Sequence, residues 1–242
     1  MSRIHVYTVL YNEEVLLPYF LRHYGSFAER IVCFDNMSTD RSAEIVDAHK
    51  ATVRIPYDTS GKIMDSKYLE LKGRYRESRG RADWVMCVDI DEFIYHPRLP
   101  ALLDDYASCG ITYPKTQGFE MVADDVPRGA GQIYDEIKDG VEDNVWFAKR
   151  LVFNPELEVV FEPGCHKASV SGGVVESASA DIKLLHYPYL GKRFFIERYA
   201  ARRARVSEEN KREGWGAQYM ESDSTFATWY DEMRGRAKPV LV

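Results

Sequence analysis

The stretch Val88-Asp89-Ile90-Asp91-Glu92-Phe93 places three carboxylates directly behind the apolar run Trp84-Val-Met-Cys-Val88. Buried without partners, such groups would be prohibitively costly, so they must meet cations, hydrogen-bond donors or a ligand. If the strand continues to its acidic end, side-chain alternation turns Asp89 and Asp91 to one side and leaves Ile90 and Phe93 for the core. Two carboxylates on one face suit a hard cation, Mn2+ or Mg2+, and an octahedral ion so held keeps positions open for substrate phosphates. Glu92 either assists or solvates the turn. A solvated acidic turn is the alternative for so short a pattern; the apolar strand in front and the aromatic behind favour the site.

Two other polar edges follow apolar runs: Tyr11-Asn12-Glu13-Glu14, and Asp35-Asn36-Met37-Ser38-Thr39-Asp40 after Phe34. Ser38 or Asp40 can cap a helix there, and the same exposed donors and acceptors can bind a base or ribose. His186 follows Ile182 and Leu184 at strand period, which places it inward as a hydrogen-bonded core residue or a ligand. His166, in Pro163-Gly-Cys-His-Lys167, sits with Lys167 in a loop suited to phosphate or acceptor contact.

The elements that must carry these residues alternate. Ile4–Leu10 is apolar on both faces, as in a strand covered on both sides, and the stripe Leu16, Leu17, Phe20, Leu21, Tyr24, Phe27 predicts a helix. Strand Arg30–Phe34, helix Ser42–His49, a strand from Thr52, a helix with Ile63, Tyr68, Leu71 and Tyr75 on one edge, and strand Trp84–Val88 complete the series. Alternation of this kind implies a parallel sheet with right-handed crossovers, which binds ligands outside the carboxyl ends of its strands. After Pro97 the pattern predicts a short helix near Leu99–Tyr106, a strand over Gly110–Tyr113, and turn-rich segments that insert into or extend the same sheet. A basic helix over Phe194–Arg212, carrying Arg198, Arg202, Arg203, Arg205, Lys211 and Arg212, reads as a solvated face, or as one that meets an anionic membrane surface or acidic glycan.

At 242 residues the chain holds between one and two domains, and 45% hydrophobic with 29% charged residues is globular composition. Thirty-eight acidic against 32 basic residues give a formal charge of -6, which disfavours a nucleic-acid partner. Cys33, Cys87, Cys109 and Cys165 form no CxxC pair and read as reduced packing residues. No apolar run approaches the roughly 20 residues of a membrane span and the start has no signal-peptide pattern, so the expected compartment is the cytoplasm.

Taken in order and spacing, Tyr11-Asn12-Glu13-Glu14, Asp35 to Asp40 and Asp89-Ile90-Asp91-Glu92-Phe93 resemble glycosyltransferase family 2 and its relatives of the GT-A, nucleotide-diphospho-sugar transferase fold. Gly118-Phe-Glu-Met121, Gly164-Cys-His-Lys167 and Leu184-Leu-His-Tyr187 are similar to a bacterial subgroup with a DxDEF motif. The resemblance covers about the first hundred residues well. It implies an α/β chain with a mostly parallel central sheet flanked by helices: a catalytic domain over 1–190, with a nucleotide-binding half (1–96) and an acceptor half (97–190), then a helical C-terminal extension (191–242).

It further implies an enzyme that moves a sugar from a nucleotide diphosphate, a UDP-sugar foremost, to a hydroxyl acceptor such as a glycan. Inversion is expected, with a role in bacterial surface polysaccharide synthesis at the inner face of the membrane. Asp35, Asn36 and Ser38 would hold base and ribose, with Asn12 and Glu13 on the same edge. Asp89 and Asp91 would bind Mn2+ or Mg2+ with His186 as third ligand; Arg76, His166 and Lys167 would contact diphosphate, sugar or acceptor. The family's second carboxylate motif, source of the base, has no unmistakable counterpart. Among Glu120, Asp124, Asp125, Asp135 and Glu136, Glu120 is favoured because Gly118 beside it would leave space for a substrate. The rival readings are a metal-dependent phosphohydrolase, which would want Thr or Val where Glu92-Phe93 stand, and a non-catalytic sugar-nucleotide or glycan binding module.

Overall fold

A computed structural model describes residues 1–143 and 145–241. Strand β1 (Ile4–Leu10) is buried along almost its whole length, as its two apolar faces require. Helix α1 (Leu17–Tyr24) follows, with Pro18 in its first turn, where a missing N–H leaves no helical hydrogen bond unmade. Then come β2 (Arg30–Asp35), α2 (Ser42–Asp47), β3 (Thr52–Pro56), α3 (Asp65–Lys72) and β4 (Trp84–Cys87). The four strands pair in parallel in the order β3-β2-β1-β4. Strand order reverses between β1 and β4, and at such a switch point the chain connections leave in opposite directions and open a crevice.

The acidic stretch is not the end of a strand. β4 stops at Cys87, and Asp89 to Glu92 form a turn in which the Glu92 N–H donates to the Asp89 carbonyl (3.0 Å). The turn hands the chain to β5 (Glu92–Tyr95), which belongs to a second sheet. Asp89 and Asp91 therefore point where turn geometry sends them, while Ile90 and Phe93 stay in the core as expected. Tyr24 of α1 fixes the start of β5: its hydroxyl donates to the Glu92 carbonyl (2.9 Å) and accepts from the Ile94 N–H (3.0 Å).

The remaining elements are α4 (Leu99–Ser108), β6 (Thr116–Ala123), α5 (Ile133–Glu136), β7 (Asp139–Glu142), β8 (Val152–Phe153), β9 (Glu158–Phe161), β10 (Ala168–Ser171), β11 (Ile182–Leu190), α6 (Lys192–Arg205), α7 (Glu208–Glu213), α8 (Asp223–Arg236) and β12 (Lys238–Pro239). Of these only β8 extends the first sheet, antiparallel beside β4; the second sheet runs β12-β7-β6-β11-β5, and β9 with β10 forms a separate hairpin. The expected strand at Gly110–Tyr113 is absent: Gly110 is left-handed (φ 72°) and Tyr113 makes one isolated bridge to Glu176. The basic helix is two helices, because Val206 is extended and the Ser207 hydroxyl caps α7 by accepting from the Asn210 N–H (3.1 Å). Cys33, Cys87 and Cys165 are buried free thiols and Cys109 is exposed.

Candidate functional site

A cavity of about 650 Å³ opens at the switch point between β1 and β4. Tyr11 and Glu13 after β1, Asn36 after β2 and Asp89 after β4 form one wall; Glu120 of β6 and His186 of β11 form another. Arg202 and Arg205 of α6 close a third side, and Trp146, Phe147 and His166 stand at the far end. The first sheet thus supplies one bank, the second sheet the other, and the acidic turn joins them.

Each carboxylate of the turn has its own cations. Asp89 Oδ1 accepts from the Tyr68 hydroxyl and from Lys72 Nζ (3.1 Å), both from α3, yet 37% of its side chain remains exposed. Burial pushes its carboxyl pKa up, and Lys72 and Lys149 outweigh that and hold it below the ordinary value. Asp91 is buried, and its Oδ2 accepts from Arg202 (3.2 Å) and lies 2.9 Å from Arg198 Nη1, off hydrogen-bond alignment, and 3.7 Å from His186 Nε2. Burial opposes its charge, and Arg198 and His186 draw its carboxyl well below the usual range. Glu92 neither assists at a ligand nor solvates the turn: it is buried against Lys149 Nζ (2.8 Å), and its other oxygen accepts the Asp89 N–H (2.9 Å).

Strand register brings His186 opposite Glu120 on β6 and opposite Glu92 on β5. Its Nδ1 meets Glu120 Oε2 at 2.8 Å, and Phe147 stacks on the ring at 4.5 Å. Burial lowers the imidazole pKa, but Glu120 and Asp91 together push it up to about 10, so His186 carries a proton at neutral pH. Burial raises the Glu120 carboxyl above its ordinary value, against the pull of His186. Gly118 does not leave space for a substrate as its sequence position suggested: a Cβ there would lie 2.1 Å from the Phe147 carbonyl carbon. The glycine admits the 147–148 backbone and so seats Phe147 on His186. Gly118→Ala is expected to cost about 1–3 kcal/mol, read by urea unfolding, and to displace Phe147, read as a shift of the His186 ring resonances.

The expected ligand set of Asp89, Asp91 and His186 does not form. His186 Nδ1 is taken by Glu120 (2.8 Å) and its Nε2 faces Asp91 Oδ2 at 3.7 Å, while Asp91 is enclosed by two guanidinium groups. Among the described residues no group of three or more His, Cys, Asp or Glu side chains is arranged to hold a metal ion. Of the three carboxylates in the turn, Asp89 alone presents an accessible face to the cavity, and one carboxylate with water and substrate phosphates is a donor set that Mg2+ or Mn2+ accepts.

The nucleotide-edge residues divide. Glu13 and Asn36 line the cavity, whereas Asn12, Asp35 and Ser38 stand behind it. Asn12 (φ 55°) takes the Thr39 N–H on its Oδ1 (2.8 Å) and gives its own N–H to Ser38 Oγ (3.0 Å), tying the ends of β1 and β2 together. Asp35 is buried, accepts the Ser38 N–H (2.9 Å) and pairs with Arg54 (3.4 Å). His166 does line the cavity, with Nδ1 on the Trp146 carbonyl (2.7 Å), and Lys167 lines a neighbouring cavity of about 600 Å³ that also touches His166.

Arg76 is displaced from the position assigned to it. It pairs with Glu158 of β9 (3.0 Å) outside the cavity, and Lys72, one turn earlier, reaches the acidic turn instead. Arg76→Ala is therefore expected to leave nucleotide affinity in a titration within about twofold of wild type.

The cations that sequence reasoning assigned to a solvated or membrane-facing helix belong to the site. Arg198 and Arg202 are drawn in by Glu13 and Asp91, with Arg198 Nη2 on both Glu13 oxygens at 2.7 Å. Arg205 lies over the Tyr11 ring, 3.8 Å from its centroid. Arg203, Lys211 and Arg212 are each ion-paired on the outer side. The spacing 198, 202, 205 is i, i+4, i+7, a single helical face, and was the signal available. No helix among the described residues is long and apolar enough to cross a membrane.

No protein-family model and no curated protein matches the chain. Among solved structures it is similar to residues 1–349 of S. aureus TarS, with 13% identity and a TM-score of 0.47, over 86% of this chain and 68% of that one. It is similar also to glucosyl-3-phosphoglycerate synthase from Mycobacterium tuberculosis, solved with Mn2+, uridine diphosphate and glucosyl-3-phosphoglycerate: 20% identity, TM-score 0.34, over 49% of this chain and 44% of that one. Mannosyl-3-phosphoglycerate synthase from Rubrobacter xylanophilus gives 16% identity and a TM-score of 0.34, over 55% of this chain and 45% of that one. The chain thus spans about two thirds of the TarS fragment and under half of either synthase.

Proposed function

We propose that the chain is a glycosyltransferase of the GT-A type that uses a nucleotide-diphosphate sugar, a UDP-sugar foremost, and a hydroxyl acceptor such as a glycan. The observation that carries this reading is that one cavity at the β1/β4 switch point holds both an accessible carboxylate backed by two α3 donors, Asp89, and a buried carboxylate of raised pKa, Glu120. The nucleotide would lie along Tyr11, Glu13 and Asn36, on the scaffold that Asn12, Asp35 and Ser38 brace. Asp89 would hold a divalent ion, Mn2+ or Mg2+, which when bound supplies positive charge to the departing diphosphate.

The chain's own groups do the rest. His186, stacked on Phe147, fixes one Glu120 oxygen, and Glu120 takes the proton of the acceptor hydroxyl as that oxygen bonds to the anomeric carbon. The bond from that carbon to the diphosphate oxygen breaks on the opposite side, so the configuration inverts. The acceptor would approach past His166, which borders both the main cavity and its neighbour where Lys167 stands. By analogy of chemistry alone, the destination is a bacterial surface polysaccharide built at the inner face of the membrane.

Release of nucleotide from a panel of UDP-, GDP- and dTDP-sugars, with Mn2+ and with or without a glycan acceptor panel, tests the reading. Glu120→Gln is expected to keep donor binding and lower transfer by about 10²- to 10⁴-fold. Hydrolysis of simple phosphate esters in place of sugar transfer would assign the site to a phosphohydrolase, and tight nucleotide-sugar binding with no turnover would make it a binding module.

A further inference from the structure

The cations around the cavity fall into two groups. Lys72, Lys149, His186, Arg198 and Arg202 each stand against a carboxylate of Asp89, Glu92, Glu120, Glu13 or Asp91. Lys62 and Arg205 line the same cavity and make no ion pair among the described residues. Arg205, half-buried beside the cavity, bears a desolvation cost with no carboxylate paired to it among the described residues, and an anion from outside offsets that cost; Lys62 stands exposed at the rim of the same cavity, where it can reach the same anion.

Each is held in place by the backbone carbonyl of the residue that precedes the other. Arg205 Nε donates to the Gly61 carbonyl (2.6 Å), and Lys62 Nζ donates to the Ala204 carbonyl (3.2 Å). The clasp is closed by the Ile63 N–H on the Arg205 carbonyl (2.7 Å) and the Ser207 N–H on the Ile63 carbonyl (3.1 Å). Asn36 stabilises the loop that carries Lys62, accepting the Thr59 N–H (3.1 Å) and donating to the Lys62 carbonyl (3.2 Å). Gly61 suits its left-handed backbone (φ 69°), which side-chain-bearing residues rarely adopt, and a Cβ there would also press to 3.2 Å from the hydroxyl of Tyr11, the ring on which the Arg205 guanidinium rests. The Nη groups of Arg205 make no hydrogen bond among the described residues, so the planar edge that suits two phosphate oxygens is free.

We infer that Arg205 and Lys62 form an anion subsite that binds the diphosphate of the donor through side-chain cations, without requiring a metal ion. The subsite rests on the donor-cavity reading above and adds residues that the motifs of the first hundred positions do not contain. It also ties the C-terminal segment to the donor, since Arg205 reaches the nucleotide half only because α6 ends against residues 61–63. A guanidinium and an ammonium together supply two positive charges to a leaving diphosphate, the same charge a divalent ion supplies.

Calorimetric titration with inorganic pyrophosphate, with UDP and with uridine, each in EDTA and in Mn2+, tests the subsite on the full chain. The wild type is expected to bind pyrophosphate in EDTA. Arg205→Gln and Lys62→Met are each expected to weaken pyrophosphate and UDP at least about tenfold while uridine affinity stays unchanged. Lys62 is exposed and its side chain bonds a single carbonyl among the described residues, so its variant keeps the test sound if Arg205→Gln fails to fold.

Pyrophosphate affinity that ignores both variants, or that exists only with Mn2+, overturns the subsite, as does an equal loss of uridine, which would mean collapse of the cavity. The donor reading fails differently: pyrophosphate would bind in EDTA through Lys62 and Arg205, yet no nucleotide sugar would turn over. Turnover with pyrophosphate affinity indifferent to both residues would leave the transferase standing and remove the subsite alone.

Discussion

Asp89→Asn is expected to lower kcat/KM for nucleotide-sugar turnover by about 10³-fold, equivalent to about 4 kcal/mol of transition-state stabilisation. Asp89 is the one carboxylate of the acidic turn with an accessible face in the cavity, so its charge is what a metal-bound or protonated donor group would meet. The substitution also leaves the Lys72 ammonium, 1% exposed, without its carboxylate. Because Asp89 itself is 37% exposed and screened by solvent, that loss is expected to cost about 1–3 kcal/mol, less than for a wholly buried pair. Lys72→Met added to Asp89→Asn should recover most of the stability in urea unfolding and none of the turnover. If the double variant regained activity along with stability, Asp89 would be a structural partner of Lys72 and the chemistry would lie elsewhere.

Glu92→Gln, at the end of the same turn, should behave in the opposite way. Glu92 and Lys149 form a pair in which neither side chain is more than 6% exposed, at 2.8 Å. Removing one charge strands the other, at a cost of about 3–5 kcal/mol and roughly 10 °C in Tm for a chain of this size. Lys149→Met should cost a similar amount, and the double variant less than the sum, because the stranded charge is gone.

The pH dependence follows from the Lys149 shift. Burial opposes its charge, but Glu92 and Asp89 raise its pKa above the ordinary 10.5. A raised folded-state pKa contributes stability that is fully present below the unfolded value, so the pair is intact at neutral pH and weakens only as pH climbs past about 10.5 toward the raised value. Kinetics measured well below the lowered Tm should be near normal for Glu92→Gln. A loss as deep as that of Asp89→Asn at such a temperature would show that Glu92 takes part in the chemistry.

Much of the first sheet was legible because its signal is local. Ile4–Leu10 is apolar on both faces, and β1 has those bounds; the helix stripe from Leu16 predicted α1, and the alternation of elements predicted parallel pairing. The acidic stretch was located but mis-shaped. Alternation cannot show that a strand stops at Cys87 and that a turn passes the chain to another sheet, because that depends on where β5 finds its partner, β11, far along the chain at Ile182–Leu190.

Which residues compensate those carboxylates was likewise out of reach of spacing alone. Lys72 and Tyr68 lie one helical turn apart on α3, and Arg198, Arg202 and Arg205 share a face of α6, yet a helical face does not say what it meets. The family resemblance placed Arg76 at the diphosphate or sugar, and the 3-10 turn from Gly73 to Ser78 swings it toward Glu158 instead.

Periodicity and turn chemistry act over a few residues, so the order of residues specifies the elements, the parallel half-sheet and the carboxyl-edge positions where ligands gather. Folding determines which charges are neutralised inside the protein and which remain for a ligand. Coulomb energy depends on distances between segments that the chain brings together only when folded: Asp91 with Arg198 and Arg202, Glu120 with His186, and Gly61 with Arg205.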